Sequence, residues 1–472
     1  MVVQLAAVPL VIRIIGLEEY GLWALVSAVV GLVGLIEGGL STSTTVFASR
    51  DLARRDWAGL AQTITVALGS MIGLATLVAA VLALGSGVVG KLFSNLNGAQ
   101  QQAVTSALCI SAIVVWARLI QQVFVGIEQA YDRYGIMNTI STAQQILMSL
   151  GVLAIAWMGG RIEAFMKWQV AVSASTLLAH AAVIWRLVKP SHLEFCWNAA
   201  KWREISSFSL LFWVSSLGTA MFAQCDRLIV GRLLGSELLG VYAAITGMTL
   251  QINSVSALPA QPLVPLVASA KANDRLDDRQ IHRRIREMFE MSTTIAFGLG
   301  TALFLLAPTV LKLLLPATQS VRYVMEFQIA CVIYSLYSIN AVGYYLLYGM
   351  QAVRKCMLIQ LSAGGIALAL IGFGAHGAGL KGAIYGGAGY LIVWILTFLG
   401  MRRIQVTTRE WTGWLLPYLL CFGGILAVGV MSSNTLFAQV VSALLGSIAI
   451  GGCFLIRNER YLVAIVKKVT LR

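Results

Sequence analysis

The chain has 472 residues, 58% of them hydrophobic and only 11% charged, and its mean hydropathy is +0.81. A soluble protein of this size covers its surface with far more charge, so a soluble globular fold is excluded and a lipid bilayer is the implied solvent. The formal net charge of +14 raises nucleic acid as a partner, and the placement of the basic residues removes it.

Apolar runs long enough to cross the ~30 Å hydrocarbon core recur from end to end. Lipid offers the backbone no hydrogen-bond partner, so such runs form helices or closed barrels; these are continuous rather than alternating, which selects helices. Fourteen spans are predicted. The first, Met1–Ile15, is shorter than the ~20 residues a crossing needs. It reads as a start codon placed too far downstream or a truncated chain, and otherwise as a short helix that thins the bilayer. It lacks the basic leader and cleavage site of a secretory signal peptide. Span two, Tyr20–Ala48, carries Glu37 with Ser41, Thr44 and Thr45 at i+4, i+7 and i+8, on one helical face. A carboxylate is costly within a bilayer, so Glu37 is a candidate for lining a wet cavity and for taking up a coupling ion; the alternative is a packing residue satisfied by those hydroxyls. Spans three and four follow at Leu60–Val89 and Gln102–Gly126. Arg118 in span four, with Gln121 and Gln122 one turn on, offers a planar fork suited to diphosphate oxygens. Its alternatives are a lipid-facing arginine that snorkels and one paired with Glu128.

Span five, Ile136–Met158, has a polar stripe of Asn138, Thr142, Gln145 and Ser149, and span six is Ala164–Leu187. Span seven, Ile205–Val230, places Ser209, Trp213, Ser216, Ala220, Gln224 and Arg227 on one face, with Gln224 and Arg227 as cavity candidates. Asp226 is turned away from that face and reads as a structural partner of a neighbouring helix or as an ion-coupling residue. Span eight, Leu238–Ala268, offers Asn253 among Thr246, Thr249 and Ser256, then Pro259, Pro262 and Pro265, each of which removes a donor and invites bending. Spans nine and ten are Met291–Leu315 and Tyr323–Met350; in the latter Tyr337 and Asn340 are central enough for a cavity role, as is Tyr344. The remaining spans are Met357–Gly374, Gly382–Gly400, Trp414–Met431 and Leu436–Ile456. The runs Gly69-x3-Gly73 and Gly382-x3-Gly386 read as close helix contacts without a ligand.

With the N-terminus in the cytoplasm, 24 of the 34 lysines and arginines fall on inner loops and the tail, 8 on the outer side, and Arg118 and Arg227 within spans. This bias places both termini in the cytoplasm by the positive-inside rule. Most of the positive charge therefore reflects topology and contact with anionic lipid, and nucleic acid is excluded as a partner.

The segment Arg13–Ala24 repeats at Arg232–Ala243. Arg, Gly, Glu, Gly, an aromatic and Ala recur at a fixed offset of 219, both times in the outer turn after the first span of a block. Spans one and seven run the same way, so the repeat predicts two parallel six-helix bundles around a central cavity, with alternating access by rocking. The blocks are 1–190 and 205–400, followed by an extra helix pair at 412–457 and a cytoplasmic tail at 458–472. Glycines in the turn permit backbone conformations that a side chain would block.

Taken together, the Gly-x4-Gly-aromatic turn within Ile15–Trp23, the Glu37-Gly38-Gly39-Leu40 run and Asp226–Gly231 leading into Arg232–Tyr242 resemble the Wzx-like polysaccharide flippases. These belong to the multidrug, oligosaccharidyl-lipid and polysaccharide exporter superfamily. The layout of six plus six plus two spans fits along the whole chain, with less sequence before the first span than is usual. The resemblance implies an all-α multi-pass protein of the bacterial inner membrane. It implies export of oligosaccharide linked to undecaprenyl diphosphate, driven by a proton or sodium gradient or the membrane potential, alongside polysaccharide polymerase and chain-length proteins.

The seven cysteines are scattered singly, and the four histidines are isolated, so no metal site or cofactor is expected. No HExxH, GxSxG or phosphate-cradling motif occurs. A glycan polymerase or ligase would place its catalytic groups on a sizeable outer loop, whereas the longest here is about Gly90–Gln101. An ion-coupled drug or cation antiporter of the same superfamily remains the main alternative; the extra span pair and the intramembrane arginines argue against it.

Overall fold

The computed structural model describes residues 2–34, 40–93, 96–189, 196–264, 266–267, 279–316, 320–350, 352–430 and 436–458. Every regular element among them is a helix. In order these are α1 (Val2–Gly34), α2 (Leu40–Ala53), α3 (Trp57–Leu92), α4 (Gly98–Ala130), α5 (Tyr134–Trp157), α6 (Ile162–Val188) and α7 (Ala199–Ser256). They continue with α8 (Arg279–Leu305), α9 (Ala307–Leu314), α10 (Val324–Ser338), α11 (Asn340–Gly349), α12 (Val353–Gly386), α13 (Trp394–Arg403), α14 (Thr408–Val430) and α15 (Leu436–Arg457). Eleven described helices are long and apolar enough to cross a bilayer. The stretch Arg354–Arg403 holds two passes because Gly379 (φ 61°, ψ −140°) turns the chain back, and the arms of α1 and α7 before Gly16 and Gly235 add two more. Among the described residues fourteen apolar segments result, in keeping with the predicted layout, the first of them (residues 2–15) shorter than a full crossing.

Local chemistry starts and stops these helices. Asp56 caps α3 by accepting from Gly59 N at 2.8 Å. Asn97 and Gln100 form a reciprocal capping box at the start of α4, and Thr407 and Glu410 form another at α14. Prolines end the predicted eighth span as a regular helix: α7 stops at Ser256, and a 3₁₀ turn at Leu258–Ala260 follows.

The chain divides into two compact units, Met1–Val241 and Tyr242–Arg472. In the first, α4 is the central rod, with α1, α2, α3 and α6 packed on it. Its buried face runs from Val104 to Ile127. By contrast, Leu77, Val81, Leu84 and Val88 on α3 face outward at i, i+4, i+7 and i+11, the pattern of a lipid-facing stripe.

The repeated glycines have two separate tasks. Gly16 (φ 82°, ψ 166°) and Gly235 (φ 84°, ψ 178°) adopt the same backbone conformation, one essentially restricted to glycine. Gly21 and Gly240 instead permit close approach. A Cβ on Gly21 would sit 1.8 Å from Ser236 O, and one on Gly240 would sit 2.2 Å from Leu17 O. Leu17 and Ser236 occupy equivalent repeat positions, so the two turns exchange the same contact.

A second correspondence lies deeper in the chain. A Cβ on Gly126 would meet Ser41 O and Thr44 Cβ at 2.7 and 3.3 Å. One on Gly349 would meet Val264 O and Val267 Cβ at 2.8 and 3.1 Å. Each unit thus repeats one helix contact internally, at an offset of 223 rather than 219. The extra residues fit the proline-broken segment around Leu258–Pro262.

In the second unit α8 packs on α10, α14 and α15. Phe297 stacks on Phe422 at 4.5 Å, and buried Glu290 accepts from Arg286 (2.9 Å), Arg457 (3.1 Å) and Asn458 (2.7 Å). Gly374 and Gly382 face each other across the Gly379 turn, each blocking a Cβ on the other, and Gly386 lies against Ile371. The Gly382-x3-Gly386 contact is therefore present. The Gly69-x3-Gly73 expectation needs correction: Gly69 makes room for the Trp197 ring, and nothing lies within 4 Å of a Cβ on Gly73.

Candidate functional site

Arg118 projects from the middle of α4 into a polar cavity of about 350 Å³ within the first unit. Gln121, Gln122, Gln144, Gln145, Met148 and Ser149 complete its lining, so α4 supplies one wall and α5 the other. Gln121 and Gln144 join the walls by a reciprocal amide pair, at 3.1 and 3.4 Å. The half-buried Arg118 side chain makes no hydrogen bond or ion pair among the described residues. Glu128, the partner its structural alternative required, is instead bonded to His180 at 2.8 Å, with both side chains fully buried. An uncompensated guanidinium beside four primary amides and a hydroxyl offers donors for anionic oxygens and both donors and acceptors for sugar hydroxyls.

The other predicted residues fall into several places. Glu37 lies outside the described residues. Ser41 donates to Gln122 O at 3.0 Å, and Thr45 lies within hydrogen-bond reach of Gly126 O and Gln129 Oε1, both at 3.1 Å, so these hydroxyls bind α2 to α4. On α7, Gln224 packs against Gly31 of α1, and its Oε1 is buried without a hydrogen-bond partner, as is Arg227 Nε. Buried Asp226 accepts from Arg227 N at 2.8 Å. The side chains of Trp213, Ser216 and Ala220 lie outside the description. In the second unit, Asn253 is half-buried, Asn340 donates to Tyr337 O, and the Tyr337 ring packs with Tyr334 and Tyr390 at 6.2 and 5.9 Å. The candidates are thus spread over both units, and among them Arg118 and Gln145 share one cavity.

An ionic cluster that the sequence reading missed joins the end of α2 to the start of α7. Buried Asp51 accepts from Thr63 (2.6 Å) and Lys201 (2.8 Å), while Arg50 reaches Glu204 at 2.8 Å. Arg50 and Lys201 lie 4.8 and 5.8 Å from the Phe47 ring centre. The Arg50 hydrogen bond and charge hold the Glu204 carboxyl below its ordinary value and raise the Arg50 guanidinium in return. A second cavity, of about 630 Å³, lies at the start of α8, against α14 and α15. Its Arg283 pairs with Glu287, while Arg286 and Arg457 share the adjacent Glu290, so it reads as an ion-paired wall. Among the described residues no group of three or more His, Cys, Asp or Glu could hold a metal.

Comparison with known proteins places this architecture. A protein of Shigella flexneri named for O-antigen transport is 20% identical over 353 residues, 74% of this chain and 80% of its own length. The teichuronic acid biosynthesis protein TuaB of Bacillus subtilis is 28% identical over 166 residues, about a third of each chain. The fold is similar to that of the lipid II flippase MurJ in an inward-closed conformation, with TM-score 0.77, 9% identity and coverage of 98% of this chain and 97% of that one. It is also similar to an inward-facing multidrug transporter of the MATE family, with TM-score 0.71, 16% identity and coverage of 85% and 94%. The sequence profile of the family described as "Polysaccharide biosynthesis protein" matches residues 1–271, more than half the chain. This multi-pass membrane protein, with the helical fold of the exporter superfamily, belongs to that polysaccharide biosynthesis family.

Proposed function

We propose that this protein is a flippase that moves lipid-linked oligosaccharide, carried on undecaprenyl diphosphate, across the bacterial inner membrane for surface polysaccharide assembly. The observation that carries this reading is Arg118, an intramembrane guanidinium without a counter-ion in a glutamine-lined cavity, in a chain of the polysaccharide biosynthesis family. The guanidinium suits the diphosphate, and the amides and Ser149 suit the sugars. The O-antigen transport and lipid II flippase names of the relatives point to the same substrate class.

Transport proceeds by alternating access of the blocks 1–190 and 205–400, driven by an ion gradient or the membrane potential, with both termini in the cytoplasm. Arg227 and Gln224, with their unpartnered buried atoms, extend the polar surface along α7. Polysaccharide polymerase and chain-length proteins act downstream. Drug or cation antiport is the second reading, favoured by the multidrug neighbour. That neighbour covers 85% of this chain against 98% for the flippase, and the Arg118 cavity carries a cation where drug cations need carboxylates.

Deleting the gene tests the function. Lipid-linked repeat units should accumulate on the cytoplasmic leaflet, and surface polysaccharide should be lost and restored by the intact gene. Normal surface polysaccharide in a deletant without a second copy refutes the reading.

A further inference from the structure

Glu128 on α4 and His180 on α6 are fully enclosed, with Oε1 2.8 Å from Nδ1. The second polar atom of each, Glu128 Oε2 and His180 Nε2, is buried without a hydrogen-bond partner. Buried polar atoms are almost always satisfied, so two orphans on one bonded pair point to a ligand or a change of state.

The other charged and titratable groups on the surrounding helices form no ion pair with it among the described residues. On α2, Arg50 and Asp51 are bonded to Glu204 and Lys201. On α3, Asp56 caps its own helix, and Lys91 lies at the opposite end. On α1, Glu19 accepts from Ile162 N at 3.0 Å, and Arg13 and Glu18 lie near it in the chain. On α6, Glu163 and Lys167 lie in the first two turns and Arg186 in the last, six residues after His180, while Tyr131, Asp132, Arg133 and Tyr134 follow Glu128 between α4 and α5. Among the described residues, no ion pair links any of these to Glu128 or His180.

Sharing one proton, the pair is neutral. A second proton makes it +1 and leaves two buried donors, a carboxyl O–H at Oε2 and an imidazolium N–H at Nε2, facing no acceptor. Such a state is costly in a desolvated interior and favours an arrangement of α4 and α6 that admits water. A sodium ion would need several oxygen ligands, whereas the open atoms here are one oxygen and one nitrogen. Gln121, which braces the Arg118 cavity, lies seven residues before Glu128 on the same face of α4, about 10 Å along the axis.

We propose that Glu128 and His180 form a proton-binding site, and that the second proton shifts the α4–α6 packing and thereby the cavity. The coupling ion of transport is then the proton. This part rests on the flippase reading, whereas proton binding at the pair does not.

Two measurements separate them. With only four histidines in the chain, ¹⁵N-histidine NMR of the full-length protein in phosphatidylethanolamine–phosphatidylglycerol nanodiscs resolves His180, assigned by its loss in His180→Asn. The expected result is a His180 signal that changes with pH and does so at a different pH in Glu128→Gln. A His180 signal that ignores pH, or whose response Glu128→Gln leaves in place, overturns the site. In a complemented deletant, Glu128→Gln and His180→Asn should each lower export of surface polysaccharide about tenfold or more at wild-type abundance. The double variant should be no worse than either single one, and the dependence of export on external pH should flatten. Export with an unchanged pH profile overturns the coupling. If the intact gene supports no export, the flippase reading falls, and the wild-type NMR titration still decides whether the pair binds a proton. It does so even where a variant fails to fold.

Discussion

At the scale of single residues, the first unit shows how position along one helix separates a binding group from a structural one. Arg118 and Glu128 share α4, yet one faces an open cavity alone and the other is sealed against His180. Charge-assisted hydrogen bonds contribute about 1.5–3 kcal/mol each, so Arg118→Ala should lower export roughly ten- to a hundredfold without lowering abundance. Arg118→Lys should recover part of the loss, since lysine keeps the charge and loses the fork. Surface polysaccharide per unit of membrane protein is the measurement. The Arg50–Glu204 pair adds a pH dependence of known sign. Its carboxyl is held below the ordinary 4.5, so its contribution is present above about pH 4.5 and is lost as pH falls through the depressed value. Both side chains are a third or more exposed, at 33% and 43%, so the effect is small and screened by salt. The thermal midpoints of wild type and Glu204→Gln should therefore converge as pH drops below about 4.5, and the gap at neutral pH should narrow in high salt.

At the scale of elements, close packing in lipid depends on small residues and on satisfied buried charge, because lipid provides no hydrophobic drive between helices. Gly240→Ala places a Cβ 2.2 Å from Leu17 O, and Gly16→Ala forces a backbone conformation available to glycine alone. Each should cost about 1–3 kcal/mol, read as a lower thermal midpoint in nanodiscs. Gly73→Ala is the contrast: its Cβ meets open space, and alanine is the better helix former by about 1 kcal/mol, so stability should hold or rise. Glu290 ties α8 to Arg457 and Asn458 at the end of α15. Glu290→Gln removes the carboxylate shared by Arg286 and Arg457, which stay part-exposed to water, and should destabilise the second unit by about 1–3 kcal/mol, seen as faster proteolysis around α14 and α15. The repeated turn was legible as sequence, since Gly, Glu, Gly and an aromatic recur at one offset. The different tasks of its glycines were not. Torsion at Gly16 and approach at Gly21 are both compatible with the same letter.

At the scale of the whole molecule, the succession of apolar helices and membership of the polysaccharide biosynthesis family describe a multi-pass membrane protein. The number and type of elements could be read from residue order because a bilayer core leaves the backbone no partner but itself, so hydropathy alone selects helices. Proline and glycine likewise announced the break after Ser256 and the turns at Gly16 and Gly235. Partnership of polar side chains could not be read that way. Arg118 and Glu128 look like natural partners ten residues apart, but Glu128 is claimed by His180, 52 residues along the chain, and Asp51 by Lys201, 150 residues along. A charge within a membrane is satisfied by whichever group packing brings to within hydrogen-bond distance. Linear order thus determined where the chain crosses lipid, and tertiary packing alone decided which of its intramembrane charges are left without a partner.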